Sequence, residues 1–283
     1  MIKTRTGQVV ASNEKQNKLL KRLYGSVPGR VLLKTLTAPA VSRAAGCFMD
    51  SALSKPLIKP FIKKSGIDTS QYVMSGFRSY NDFFTRRIKQ GKRPVDFDPG
   101  HLISPCDSKL TVHRISSRSF FSIKGSRYRV SDLLCNEFLA KRYSGGYCCI
   151  FRLEVDDYHR YCYVDDCRPG ATRCIEGVLH TVNPVSAEYV KVYHQNTRTV
   201  TMLHTVHFGD ILQIEVGAMM VGKIVNHPHG KWVARGVEKG YFEFGGSTVV
   251  LVLPKDAVKI DPQILANSEN GAETVVRYGS RLN

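Results

Sequence analysis

No pair of cysteines in this chain is spaced C-x-x-C. Eight cysteines are present (Cys47, Cys106, Cys135, Cys148, Cys149, Cys162, Cys167 and Cys174), and their spacings fit no zinc pattern. Free thiols in a reducing compartment are the expectation. No apolar run approaches the roughly 20 residues that cross a bilayer. The N-terminus has no sustained apolar core of the kind a secretory signal carries. Any meeting with a membrane is therefore expected at its surface. Acids are scarce, 24 against 41 Lys and Arg, for a formal charge of +17. That balance predicts attraction to polyanions: nucleic acid, an anionic membrane surface or acidic substrates. Neither an internal repeat nor a recognisable cofactor motif is found.

The 283 residues, 42% hydrophobic and 10% aromatic, allow one large domain or two modest ones. The charge is unevenly placed. Residues 1–64 hold thirteen Lys and Arg against Glu14 and Asp50, which is +11 of the total. A basic arm on a near-neutral body suits docking better than catalysis. From Lys15 to about Ser54 the pattern is helical: Leu19, Leu20 and Leu23 sit among Lys18, Lys21 and Arg22, and Val41, Ala44, Ala45 and Phe48 recur after Pro39. Such helices either lie in a membrane interface or cap the body with their lysines solvated. Nucleic acid is disfavoured as a partner, because aromatics are not interleaved with the basic residues.

A further helix is expected over Phe77–Ile88, and beyond Pro94 the texture becomes β-rich. Strands are expected at Lys109–Ile115, Tyr147–Leu153, Thr199–His204, Ile211–Val216, Met219–Ile224 and Thr248–Leu253. One helix, Ser131–Lys141, interrupts them, with Ser131 as its cap. The fold class is α+β. Residues 1–94 form a basic, mostly helical docking portion, 95–261 a β-rich catalytic body, and 262–283 a polar tail.

Four groups carry candidate chemistry. Ser104-Pro105-Cys106-Asp107-Ser108 places an acid in a proline-led turn. Asp156-Asp157-Tyr158-His159-Arg160 sets two carboxylates beside an imidazole. Thr181-Val182-Asn183-Pro184 is a strand-to-turn junction without a reactive group. Phe244-Gly245-Gly246-Ser247-Thr248 frees the backbone before a serine, and the run Val249–Leu253 pins it after. There a serine is able to attack its own preceding carbonyl and turn an amide into an ester. An ordinary tight turn is the simpler reading of that group alone. Asp, His and Ser form a relay if they meet in space.

In this order the groups resemble the phosphatidylserine decarboxylase family. The resemblance runs from about Phe77 to about Asp261. It takes in Tyr80–Arg87, Arg93-Pro94, Pro105-Cys106-Asp107, Ile123-Lys124-Gly125 with Tyr128, and Asp157-Tyr158-His159-Arg160. It continues through Thr181–Pro184, Val216-Gly217-Ala218 with Val221-Gly222, and Gly240–Thr248. It implies a proenzyme that cuts itself between Gly246 and Ser247, leaving a β chain of 1–246 and an α chain of 247–283. Ser247 becomes a pyruvoyl group, the only cofactor implied, with no metal. This group serves as electron sink while phosphatidylserine loses carbon dioxide to give phosphatidylethanolamine. By the same resemblance Asp107 is the acid of the processing relay. His159 handles the proton at the decarboxylated carbon, and Asp157 orients or charges it. The partners implied are phosphatidylserine, an anionic membrane surface, and the α and β chains of one protomer; a homo-oligomer stays open. The expected location is peripheral, on the cytoplasmic face of a membrane.

The chain departs from the family where a second histidine is expected three residues after the first. Cys162 stands there, followed by Val164-Asp165-Asp166-Cys167, and Ser108 replaces a glycine. A thiol is not an equivalent base. Either His159 does double duty, or Cys162 substitutes, or processing is slow or lost. In the last case the chain is an uncleaved binder of anionic phospholipid.

Overall fold

A computed structural model describes residues 1–10, 22, 23, 25, 26, 29, 39–123, 126–177, 195–217, 223–244 and 247–283. Among these the chain begins with β1 (Ile2–Lys3) and β2 (Val9–Val10), then α1 (Pro39–Asp50), a 3-10 turn (Ala52–Leu57), α2 (Ile58–Ser65) and α3 (Tyr80–Phe84). Next come β3 (Ser108–Arg114), the hairpin β4 (Phe120–Ile123) and β5 (Ser126–Arg129), and α4 (Val130–Leu134) with α5 (Glu137–Lys141). Strands β6 (Tyr147–Leu153), β7 (Arg160–Cys162), β8 (Cys167–Pro169), β9 (Arg173–Ile175), β10 (Arg198–Thr205) and β11 (Asp210–Val216) follow. The chain closes with β12 (Ile224–Asn226), β13 (Glu238–Phe242), β14 (Ser247–Leu253), α6 (Pro262–Glu269) and β15 (Glu273–Val276). This is the α+β fold expected.

One large sheet runs in the order β2-β1-β15-β3-β6-β14-β11-β10-β8, with β9 also on β10; a second has the order β12-β13-β7. Strand β14 lies at the centre, antiparallel to β6 and β11. Its seven residues are all buried. Successive side chains of a strand point to opposite faces. Val249, Leu251 and Leu253 accordingly join one core with Leu110, Phe151, Tyr161 and Cys162. Val250 and Val252 join another with Ile150, Ile214, Leu133 and Leu134. Covering on both faces is what an unbroken apolar run predicts. Leu251→Ala is expected to cost about 3 kcal/mol. By the same alternation Ser247 shares the face on which the smaller sheet packs.

Two local devices position the site. Ser79 caps α3, its hydroxyl accepting from the Asp82 N–H at 3.1 Å. That short helix packs Tyr80, Phe83 and Phe84 against Phe61, Val155 and Phe244. In β13, Gly240 leaves room for Tyr161: a Cβ there would sit 2.8 Å from its hydroxyl and 2.1 Å from the Val225 carbonyl. The glycine thus permits the close approach of β7 to β13.

Several elements differ from expectation. The helix over Ser131–Lys141 is two helices, because Cys135 takes a left-handed conformation at φ 47. Its N-cap is Arg129, not Ser131. The helix over Phe77–Ile88 shortens to α3, and Ile88 instead bridges Tyr72. Residues 262–283 supply α6 and β15, and residues 2–3 pair with β15. Both termini therefore enter the main sheet, since short polar strands pair through backbone groups that carry no periodic signal. Of the expected Lys15–Ser54 helix, the second part appears as α1 and the start of the 3-10 turn, whereas most of residues 15–38 lies outside the described residues, as does most of Met219–Ile224.

Candidate active site

Ser247 opens β14, in register with Leu153 of β6. It is fully buried, and among the described residues its hydroxyl has no hydrogen-bond partner. Leaving a buried hydroxyl unpaired costs about 1–3 kcal/mol. Gly245 and Gly246 lie outside the described residues. The chain just before them is held: the Phe244 N–H donates to Asn81 Oδ1 at 2.7 Å, and Asn81 Nδ2 donates to Asp50 Oδ1 at 2.7 Å. The Phe244 ring meets Phe84 edge-on, centroids 5.4 Å apart. Strand pairing on one side and an asparagine clamp on the other fix both flanks of the expected scissile turn.

His159 precedes β7, and its carbonyl accepts from the Phe242 N–H at 3.0 Å. The ring is buried, 4.0 Å from the Phe84 ring. Nδ1 lies 3.0 Å from the Asp157 carbonyl, and Nε2 has no partner among the described residues. A carbonyl only accepts, so Nδ1 carries the proton and Nε2 keeps its lone pair. Burial foremost, then the neighbouring Arg86, pushes the imidazole down to about 3. The ring is neutral at pH 7. Asp157 orients it through its main chain, not its carboxylate. That carboxylate accepts from Lys109 Nζ at 2.6 Å and the Glu154 N–H at 2.7 Å. Burial outweighs the pull of Lys109 and pushes Asp157 up to about 6.

Asp107, just before β3, is buried and fully engaged. It accepts from Arg93 Nε and Nη2 at 2.9 and 2.6 Å, from Arg277 Nη1 at 3.1 Å and from the Tyr278 N–H at 2.8 Å. Cys162 ends β7, its N–H on the Pro105 carbonyl at 2.9 Å and its Sγ 3.8 Å from the Ser104 carbonyl. Tyr278 lies close to both: its main chain donates to Asp107 and its hydroxyl donates to the Gly236 carbonyl at 2.9 Å. Burial pushes the Cys162 thiol up to about 12. Among the described residues no hydrogen bond joins Asp107, His159, Cys162 and Ser247 to one another.

Three groups drawn into the site had not been singled out from sequence. Arg277 and Tyr278 lie in the segment read as a polar tail, and Lys109 in a predicted strand. Asn81, Arg86 and Arg93 appeared only inside quoted motifs. Thr181–Pro184, Lys124-Gly125, Ala218 and Val221-Gly222 lie outside the described residues. Among the described residues no group of three or more His, Cys, Asp or Glu is placed to hold a metal ion.

The sequence profile of the family described as phosphatidylserine decarboxylase matches residues 80–282, which hold all of these groups but Asp50. Clostridium acetobutylicum phosphatidylserine decarboxylase proenzyme 2 is 44% identical over 276 residues, 97% of this chain and 94% of that protein. The proenzyme of Ruminiclostridium cellulolyticum is 39% identical, covering 94% of this chain and 90% of its own length. That of Desulfitobacterium hafniense is 38% identical, covering 94% and 91%. A match running from α3 to the last strand, with relatives aligned almost end to end, means that the chain belongs to the phosphatidylserine decarboxylase family.

Proposed function

We propose that this carboxy-lyase cuts itself between Gly246 and Ser247 and then converts phosphatidylserine to phosphatidylethanolamine at a membrane surface. One observation carries the reading: Ser247 Oγ and His159 Nε2 are both buried and, among the described residues, both without a partner. A hydroxyl in a purely structural turn is normally hydrogen-bonded. An orphaned one at the head of a central strand fits a group that is consumed. Ser247 is therefore the nucleophile, and its remnant the pyruvoyl group. That group, once formed, supplies a ketone able to take up the electron pair left when carbon dioxide departs.

The chain's own residues supply the rest. His159, neutral with its lone pair on Nε2, takes the Ser247 proton in the first stage. In the second, Nε2 takes up a proton from solvent and passes it to the carbon that has lost its carboxylate. The imidazole therefore does double duty. Cys162 is a core thiol, too weakly acidic at about 12 to exchange protons at neutral pH. Asp107 supports processing from a distance, by tying Arg277 and Tyr278 of the future α chain to Arg93 of the future β chain. The pyruvoyl requires no metal ligand.

Docking is supported at the N-terminal helices. Phe48, Leu53 and Leu57 are exposed, Leu53 by 77%, and Lys55, Lys59, Lys63 and Lys64 are exposed among them. Apolar groups beside cations suit an anionic bilayer surface. No described helix is long and apolar enough to cross a membrane. The reading is tested with carboxyl-labelled phosphatidylserine. Wild-type protein should release labelled carbon dioxide and Ser247→Ala none; equal release from both would overturn the assignment.

A further inference from the structure

Arg86 is 1% exposed and follows α3. Its Nη2 donates to the carbonyls of Asp156 at 2.9 Å and Asp157 at 3.1 Å. The Asp157 carbonyl is also the atom that His159 Nδ1 meets. Guanidinium and imidazole thus converge on one oxygen. The guanidinium carbon lies 4.4 Å from the centre of the Tyr72 ring and 5.1 Å from that of Phe83. Such cation–π contact steadies its plane. Among the described residues Nε and Nη1 have no partner.

Three other buried arginines are neutralised. Arg152 meets Glu273 at 2.6 Å, Arg160 meets Glu238 at 2.7 Å and Arg235 meets Asp165 at 2.6 Å. Among the described residues Arg86 meets no carboxylate: Asp157, whose carbonyl it meets, gives its carboxylate to Lys109. A buried cation without a counterion costs several kcal/mol. Two carbonyls satisfy only two of a guanidinium's five N–H groups. The remaining donors match an oxyanion, which a planar fork binds better than any neutral group.

We propose that Arg86 binds an anionic oxygen of the phosphoserine headgroup beside His159. This rests on the substrate class proposed above. The headgroup offers two sources of the same chemistry, its phosphodiester and its carboxylate. Either one, held at Arg86, anchors the headgroup next to the imidazole.

The test uses the full chain carrying Ser247→Ala, in which no ketone forms, so binding is read apart from chemistry. Glycerophosphoserine, glycerophosphoethanolamine and L-serine are titrated calorimetrically into this protein and into the same protein with Arg86→Met or Arg86→Lys. Glycerophosphoserine should bind at least about tenfold more weakly to the Arg86→Met protein, and Arg86→Lys should fall between. If the phosphodiester is the partner, glycerophosphoethanolamine weakens in step and serine does not. If the carboxylate is, serine weakens and glycerophosphoethanolamine does not. Unchanged affinity for all three, or no binding of any to the Ser247→Ala protein, would overturn the proposal. Tyr72→Leu keeps the charge but removes the ring beneath it. It should weaken glycerophosphoserine severalfold if the Arg86 variants fail to fold, and unchanged affinity again overturns. A wild-type chain that never cuts itself would sink the processing reading and leave these binding results standing.

Discussion

His159 and Cys162 stand three residues apart, both fully buried, yet burial gives them opposite chemical prospects. Desolvation disfavours whichever form is charged. It pushes the imidazole down to about 3 and the thiol up to about 12, so both are neutral at pH 7. A neutral imidazole still has a lone pair to take a proton. A neutral thiol of such weak acidity neither takes nor gives one. The two sides of β7 therefore divide the work. The His159 side, with Nε2 unpartnered among the described residues, is the one proposed to react. The Cys162 side, with Tyr278, Asp107 and two arginines, is saturated with partners and ties Arg93 to Arg277 and Tyr278.

The sharpest way to break that division is at the imidazole. His159→Gln should slow both self-cleavage and turnover by about 10²–10⁴. Unchanged cleavage by timed gel analysis would confine His159 to the second stage. Next comes Asp107→Asn. It strips the counterion from Arg93, which is largely buried, and should cost about 3 kcal/mol in urea denaturation while uncut chain accumulates. An unshifted midpoint would contradict the clamp.

Stability against pH gives a smaller effect. The folded imidazole resists protonation to about 3, whereas in the unfolded chain it protonates near 6.5. The unfolded state thus binds more protons between these values, and His159's contribution, fully present above 6.5, is lost as pH falls. The slope is at most about 1.4 kcal/mol per pH unit. Asp157 works the other way between about 4 and 6, because folded Asp157 holds its proton up to about 6. Comparing wild type with His159→Phe isolates the histidine: the variant should lose less stability on going from pH 7 to pH 5. Parallel curves would contradict the buried neutral ring. The smallest effect is expected at Cys162→Ala, with cleavage within about threefold of wild type and a loss of about 1 kcal/mol for the cavity. A tenfold slower cut would return the thiol to the relay.

The parts legible in the sequence were those that act locally. The apolar run after Ser247 announced a strand, and Tyr147–Leu153 appeared with its expected bounds. The partners of Asp107 could not be read, because Arg277 and Tyr278 reach it from the far end of the chain through β15. Nor could the role of Asp157, since proximity in sequence to His159 suggested its carboxylate while the fold uses its carbonyl. Cys135 broke the expected helix by taking a left-handed turn that few non-glycine residues adopt, so composition gave no warning. Burial, not spacing, separates His159 from Cys162, and burial belongs to the folded chain.

The central claim is that the chain cuts itself at Ser247, and intact mass of freshly purified protein tests it most directly. Two species are predicted, a large fragment ending at Gly246 and a small one of residues 247–283 whose first residue has the mass of a pyruvoyl group. A single full-length species that persists on incubation would contradict it.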